Sequence, residues 1–81
     1  MLDTSGWTQY KLGSFAEAER LLSRAVERAP TNGTVRFHLG LAYMSLGRKA
    51  DAVSTLRRAA QLDPKLAQSE KIDDLIKQLG G

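Results

Sequence analysis

The chain has 81 residues, of which 42% are hydrophobic, and 12 Lys and Arg stand against 9 Asp and Glu for a net charge of +3. This length supports at most one domain, and the composition is that of a globular rather than a disordered chain. The sequence contains no cysteine, which excludes a disulfide framework and a thiolate metal site and fits the cytosol, with the periplasm left open.

The first two predicted helices are separated by a glycine turn. Residues 2–12 form the first helix, which ends at Gly13. Ser14 is the predicted N-cap of the second helix, and Glu17 three residues later completes a capping box. The second helix is expected to end near Ala29, because the proline that follows cannot continue it.

The third and fourth predicted helices form a second pair. Residues 31–33 make a turn, Thr34 caps the third helix, and Gly47 ends it. This helix is apolar on nearly all sides, so we expect it to be buried on most sides or to carry a binding face. Its apolar residues are Phe37, Leu39, Leu41, Ala42, Tyr43, Met44 and Leu46. The fourth helix runs from about Lys49 to Leu62.

The last segment, residues 65–81, is amphipathic. Four apolar side chains share one helix face and charged side chains occupy the rest, which predicts a single terminal helix that closes a repeat array. The apolar residues are Ile72, Leu75, Ile76 and Leu79, and Gly80-Gly81 ends the helix.

A 34-residue interval links nine pairs of identical residues between the first unit and the second. These are Gly6/Gly40, Leu12/Leu46, Gly13/Gly47, Ala16/Ala50, Ala18/Ala52, Leu22/Leu56, Arg24/Arg58, Ala25/Ala59 and Pro30/Pro64. Such a period predicts stacked units that bury their apolar faces on one another. The small residues are expected to let helices approach closely, the turn glycines to adopt a positive φ, and the leucines before them to pack under the turns.

These residues carry a family resemblance. The second unit reads Leu39-Gly40-Leu41-Ala42-Tyr43, followed by Gly47, Ala52, Leu56, Ala59 and Pro64, and it resembles the tetratricopeptide repeat (TPR). The first unit resembles the same repeat from Gly6 to Pro30. The resemblance implies an all-α helix-turn-helix solenoid with repeats at 1–30 and 31–64 and a capping helix at 65–81. Arg36 and Lys49 depart from it, since they replace aromatic residues common in the family.

The chain is further similar to the C-terminal repeats of bacterial multi-TPR proteins. The phase of the period places the start of the first unit before Met1, and about three repeats are usually needed for a stable solenoid. We therefore expect a fragment of a longer array, or a chain that completes itself by oligomerising.

The resemblance implies a concave surface lined by the first helix of each unit. The side chains at these positions are mainly apolar and aromatic, which suits an amphipathic helix or an extended apolar peptide. The predicted partner-binding residues are Trp7, Tyr10, Lys11, Phe37, Leu41, Met44 and Ser45, and Asp3, Lys71, Leu75 and Gln78 extend the set. Packing in the core is the alternative for Trp7 and Phe37.

Catalytic chemistry finds little support in the sequence. His38 is the single histidine and lacks the second ligand that a metal site needs. Asp73 and Asp74 are adjacent on a helix, so their carboxylates diverge rather than converge. No glycine-rich phosphate loop is present. We therefore expect no enzyme activity and no cofactor.

Three kinds of interaction remain. The favoured hypothesis is a protein-interaction scaffold. The alternative hypothesis is a structural segment that self-associates through the same surface. Arg20, Arg24 and Arg28 share one helix face, but no aromatic residue interleaves them, so a solvated face is favoured over nucleic-acid binding. No apolar run approaches the roughly 18 residues of a membrane span, and no signal peptide follows Met1.

Overall fold

A computed structural model of the chain describes residues 9–80, and most of these residues are helical, with no strand among them. The first helix, α1, reaches the described range as residues 9–11. It is followed by α2 (Phe15–Arg28), α3 (Gly33–Ser45), α4 (Lys49–Leu62), α5 (Pro64–Ser69) and α6 (Ile72–Gln78). The predictions made for Asp3, Gly6 and Trp7 lie outside the described residues.

The backbone repeats its geometry at the interval of the sequence period. Helices α2 and α4 each have 14 residues, and both their first and their last residues lie 34 positions apart. The residues before them, Ser14 and Arg48, have φ/ψ of −88°/70° and −90°/73°. Gly13 and Gly47 have φ of 85° and 79°. The predicted all-α helical-hairpin fold is confirmed.

Helix α3 lies between α2 and α4 and contributes to two hydrophobic clusters. The first core cluster joins α2 to α3 and contains Ala18, Leu22, Leu39 and Ala42. The second core cluster joins α3 and α4 to α6 and contains Phe37, Leu56, Ala59, Ile72 and Ile76. Because α3 supplies side chains to both clusters, burial on most sides, the first of the two alternatives expected for it, describes this helix.

Small residues allow the close approach of the paired helices, as predicted. Ala18, Ala52 and Ala59 are fully buried. A Cβ atom added at Gly40 would lie 2.7 Å from Cδ2 of Leu56, which real Cβ contacts do not show. Hydrogen at the glycine α-carbon is therefore what lets α3 and α4 come this close.

Ser14 is the N-cap residue of α2, as predicted, but the predicted capping box at α2 and the predicted N-cap of α3 are wrong. The side chain of Ser14 makes no capping hydrogen bond. Glu17 instead pairs with Arg20, since a charged donor gives the stronger bond. At α3 the cap is Asn32 rather than Thr34, because the backbone N–H of Val35 donates to Asn32 Oδ1 at 3.1 Å.

The leucines before the turn glycines do not pack under the turns. Leu12 is 72% exposed and Leu46 is 37% exposed. Each leucine directly precedes a turn glycine, at the tip of a helix hairpin. Because both side chains are exposed, the predicted packing is wrong.

The terminal segment is two short helices rather than the single helix predicted. Lys71 between them has φ 52° and ψ 49°, the left-handed conformation, and starts α6. The Leu66 backbone N–H donates to Asp63 Oδ1 at 3.1 Å and caps α5. The change of direction at Lys71 allows Ile72 and Ile76 to enter the second core cluster, where they are 0% and 7% exposed.

Lys71→Gly is expected to stabilise the protein. The left-handed conformation costs an L-residue about 1 kcal/mol or more, and glycine adopts it freely. Part of this gain is offset by the greater entropy of glycine in the unfolded chain, so we expect an increase of about 0.5 kcal/mol in the free energy of unfolding. Urea denaturation measures it. Glu70→Gly, one residue earlier at φ −97°, is the matched control and is expected to destabilise. A loss of stability in Lys71→Gly would contradict the prediction.

Candidate partner-binding surfaces

The predicted groove residues on α3 occupy different environments. Phe37 is 7% exposed and lies in the second core cluster with residues of α6. Phe37 is therefore not a mostly exposed groove residue. It packs in the core, which was the alternative prediction. Leu41 and Met44 are half-buried and pack against the edge of the same cluster, while Ser45 is exposed.

Of the groove residues predicted on the first helix, Tyr10 packs against the other cluster. Tyr10 is half-buried against the first core cluster, and its ring centroid lies 5.3 Å from that of Phe15. Lys11 is exposed. The structure thus brings Leu41 and Met44 together with Leu75, which also packs on the second core cluster, and it places Tyr10 on a separate cluster.

Helix α3 retains apolar side chains that its neighbours cover only in part. Helices α2 and α4 both pack on it, and α6 reaches its residue Phe37. Leu41, Tyr43 and Met44 stay half-buried after this packing. A helix with apolar residues on all sides has no polar face to turn to solvent, so the Leu41–Met44 side is the candidate for covering by a partner.

Arg48 lies in the turn between α3 and α4, and its side chain contacts side chains of three helices. Its guanidinium carbon lies 4.6 Å from the centre of the Tyr43 ring. Its Nη1 is 3.7 Å from Glu19 Oε1 and its Nη2 is 2.7 Å from Asp51 Oδ2. These contacts are partly exposed and each contributes at most about 1 kcal/mol. Arg48 is therefore engaged within the fold rather than offered to a ligand.

The predicted face of Arg20, Arg24 and Arg28 is partly neutralised. Arg20 Nε donates to Glu17 Oε2 at 3.2 Å. This hydrogen bonding lowers the pKa of the Glu17 carboxyl and raises the pKa of Arg20. One of the three cations thus already has an anionic partner one helical turn away.

A basic groove runs along α4, and sequence reasoning missed it. It has a volume of about 790 Å³ and is lined by Arg36, Lys49, Ala50, Val53, Ser54, Thr55, Arg57, Arg58, Gln61, Leu79 and Gly80. Four of these residues are basic and none is acidic. A signal was present, because Lys49, Val53, Arg57 and Gln61 follow one another every four residues and so follow one side of a helix.

Residues 9–80 contain one histidine and no cysteine. No group of three or more His, Cys, Asp and Glu residues in this range is arranged to hold a metal ion. His38 is half-buried, with its ring centroid 6.0 Å from that of Phe37. No helix within these residues is both long enough and apolar enough to cross a membrane.

Antiparallel helix pairs that recur every 34 residues and stack through shared clusters define a helical-hairpin repeat protein. A family model described as tetratricopeptide repeat matches residues 4–67. The chain therefore belongs to the TPR family, whose repeats generally mediate protein–protein interaction.

Two curated relatives come from Arabidopsis thaliana. The TPR repeat-containing thioredoxin TTL4 is 31% identical over 77 residues, which are 94% of this chain and 11% of that protein. The inactive TPR repeat-containing thioredoxin TTL3 is 31% identical over 80 residues, 98% of this chain and 12% of that protein. The chain thus spans about a tenth of either relative's length. Both are plant proteins, so the similarity to bacterial arrays stays a prediction.

Proposed function

We propose that the chain is a non-enzymatic interaction module that binds a peptide or an amphipathic helix along its concave face. Residues 1–30 and 31–64 are its two repeats, and residues 65–81 close the array. The observation that carries this proposal is the half-burial of Leu41 and Met44 on α3, a helix that buries Val35, Phe37, Leu39 and Ala42.

The chemistry of this face supports an apolar ligand with a polar border. Met44 has a flexible, polarizable side chain that adapts to different apolar surfaces. Ser45 and Lys11 are exposed at the ends of α3 and α1 and would supply polar contacts at the edge of an interface. Trp7, predicted to belong to the same face, remains part of the proposal, whereas Phe37 supports the face from the core.

Both relatives are named as TPR repeat-containing thioredoxins, but we do not propose thioredoxin chemistry for this chain. Exchange of dithiols and disulfides requires cysteine thiolates, and the sequence has no cysteine. The proposal therefore concerns interaction alone. Self-association through the same face is the rival function and is separated from peptide binding by the experiment below.

Met44→Gln is expected to weaken peptide binding about tenfold, because a polar amide replaces an apolar contact of similar size. Peptides selected from a displayed random library on the unaltered chain serve as ligands, and isothermal titration calorimetry gives their dissociation constants. Leu46→Gln is the matched control. It changes an exposed apolar residue two positions away, at the hairpin tip, and is expected to alter binding less than twofold.

Sedimentation velocity on the same three proteins completes the test. If the selected peptides bind all three proteins equally well, the concave face is not their binding site. If no peptide is selected and the unaltered chain is a dimer that Met44→Gln converts to a monomer, self-association replaces peptide binding as the function.

A further inference from the structure

We propose that the basic groove along α4 is a second binding site, and that its ligand is an extended acidic peptide segment. This site is separate from the concave face. Helix α4 buries Ala52, Leu56 and Ala59 in the fold, whereas the groove is lined by its other sides, by Arg36 of α3 and by the end of α6.

The charges of the groove are not balanced within it. Arg36, Lys49 and Arg58 form no ion pair with any residue in the range 9–80, in contrast to Arg20 and Arg48, which each have a carboxylate partner. Arg36 Nε donates to the backbone carbonyl of Pro30 at 3.0 Å, and Arg58 Nη1 donates to Gln61 Oε1 at 3.3 Å. Each guanidinium has five N–H donors, so most of them stay available to an anion.

The spacing of the cations matches an extended chain. Lys49 and Arg58 both line the groove and are nine residues apart on α4, which is about 13.5 Å along the helix axis. Side chains four residues apart on an extended strand are separated by about 13 Å. A segment with acidic residues at its first and fifth positions would therefore place one carboxylate at each end of the groove.

The apolar part of the groove favours a peptide over a nucleic acid. Ala50, Val53 and Leu79 lie among the lining residues, and they offer an apolar contact to a side chain between the two carboxylates. No aromatic residue lines the groove, so it lacks the stacking surface on which single-stranded nucleic acids depend. Val53 and Leu79 are the larger apolar side chains among its lining residues, whereas a basic helix that enters a membrane surface presents a continuous apolar face.

The test uses fluorescence anisotropy in 50 mM NaCl with a labelled nine-residue peptide that carries glutamate at its third and seventh positions, leucine at its fifth, and serine elsewhere. The matched peptide has glutamine in place of both glutamates. We expect the acidic peptide to bind about tenfold more tightly than the glutamine peptide, and the difference to shrink in 300 mM NaCl because exposed charges are screened.

Two double variants with the same change in net charge locate the site. Lys49→Gln with Arg58→Gln is expected to weaken binding of the acidic peptide five- to tenfold. Arg24→Gln with Arg28→Gln, at exposed positions on α2 outside the groove, is expected to weaken it less than twofold. Circular dichroism verifies that both variants remain folded, and Met44→Gln is expected to bind the acidic peptide normally, which separates this site from the proposed concave face.

Three results would overturn the proposal. Equal losses in the two double variants would show diffuse attraction by net charge rather than a site. Equal affinity for the acidic and the glutamine peptides would show that the cations take no part. Stronger competition by a thymidine oligonucleotide of the same charge, or by vesicles with 30% phosphatidylserine, would assign the groove to a nucleic acid or to a membrane surface.

Discussion

Leu56→Ala is expected to lower the free energy of unfolding by about 2–5 kcal/mol, a large share of the stability of a domain this small. Leu56 is fully buried and belongs to the second core cluster with Phe37, Ile72 and Ile76. Removing its isobutyl group leaves a cavity between α3, α4 and α6. Urea denaturation followed by circular dichroism measures the change.

The equivalent position of the first unit provides the control for Leu56→Ala. Leu22 is also fully buried, but it lies in the first core cluster and contacts no residue of α6 through that cluster. Leu22→Ala is expected to destabilise to a similar degree while leaving amide hydrogen exchange in α6 closer to that of the unaltered chain. Neighbouring repeats are coupled only through their shared contacts. If both variants accelerate amide hydrogen exchange in α6 equally, the two core clusters do not act as separate units.

Gly40→Ala is expected to destabilise the chain by about 1–3 kcal/mol, although alanine is the better helix former by about 1 kcal/mol. The added Cβ would lie 2.7 Å from Cδ2 and 2.8 Å from Cγ of Leu56. Because Leu56 is fully buried, its side chain would have to shift within the second core cluster to admit the new methyl group. Thermal and urea denaturation measure the loss.

The double variant Gly40→Ala with Leu56→Ala tests the cause of that loss. Truncation of Leu56 removes the two atoms that the new methyl group would meet, so the double variant is expected to be more stable than the sum of the single changes predicts. The difference measures the coupling between neighbouring side chains. Additive effects, or a stabilising Gly40→Ala, would show that the close approach of α3 and α4 does not depend on glycine.

The bounds of α2 and α4 followed from local sequence. Helix α2 ends before Pro30, which lacks the backbone N–H that a helix interior needs. The left-handed turn at Gly47 is accessible to glycine at little cost, and α4 begins and ends where the sequence predicted. These features depend on residues within one or two turns, so a single sequence is enough to predict them.

The caps were harder to predict, because several polar side chains compete within a few residues. Asn32 and Thr34 can each accept a hydrogen bond from a helix N–H, and the backbone at Asn32 is the one with the extended conformation that a cap requires. Glu17 could accept a hydrogen bond from the helix end or from Arg20. It pairs with Arg20, because a charged donor gives the stronger hydrogen bond. The left-handed Lys71 gave no signal at all, since glycine is the usual residue there.

The candidate surfaces depended on tertiary packing more than on the sequence. The periodic pattern determined the scaffold: antiparallel helices, small residues between them, and glycine turns 34 residues apart. It did not determine which apolar side chains of α3 stay accessible, because the position of α6 decides that Phe37 is core and that Met44 is at an edge. The basic groove likewise exists only because the end of α6 lies beside α4. Local bonding restricts each helix by itself, whereas a surface is assembled from residues distant in the chain.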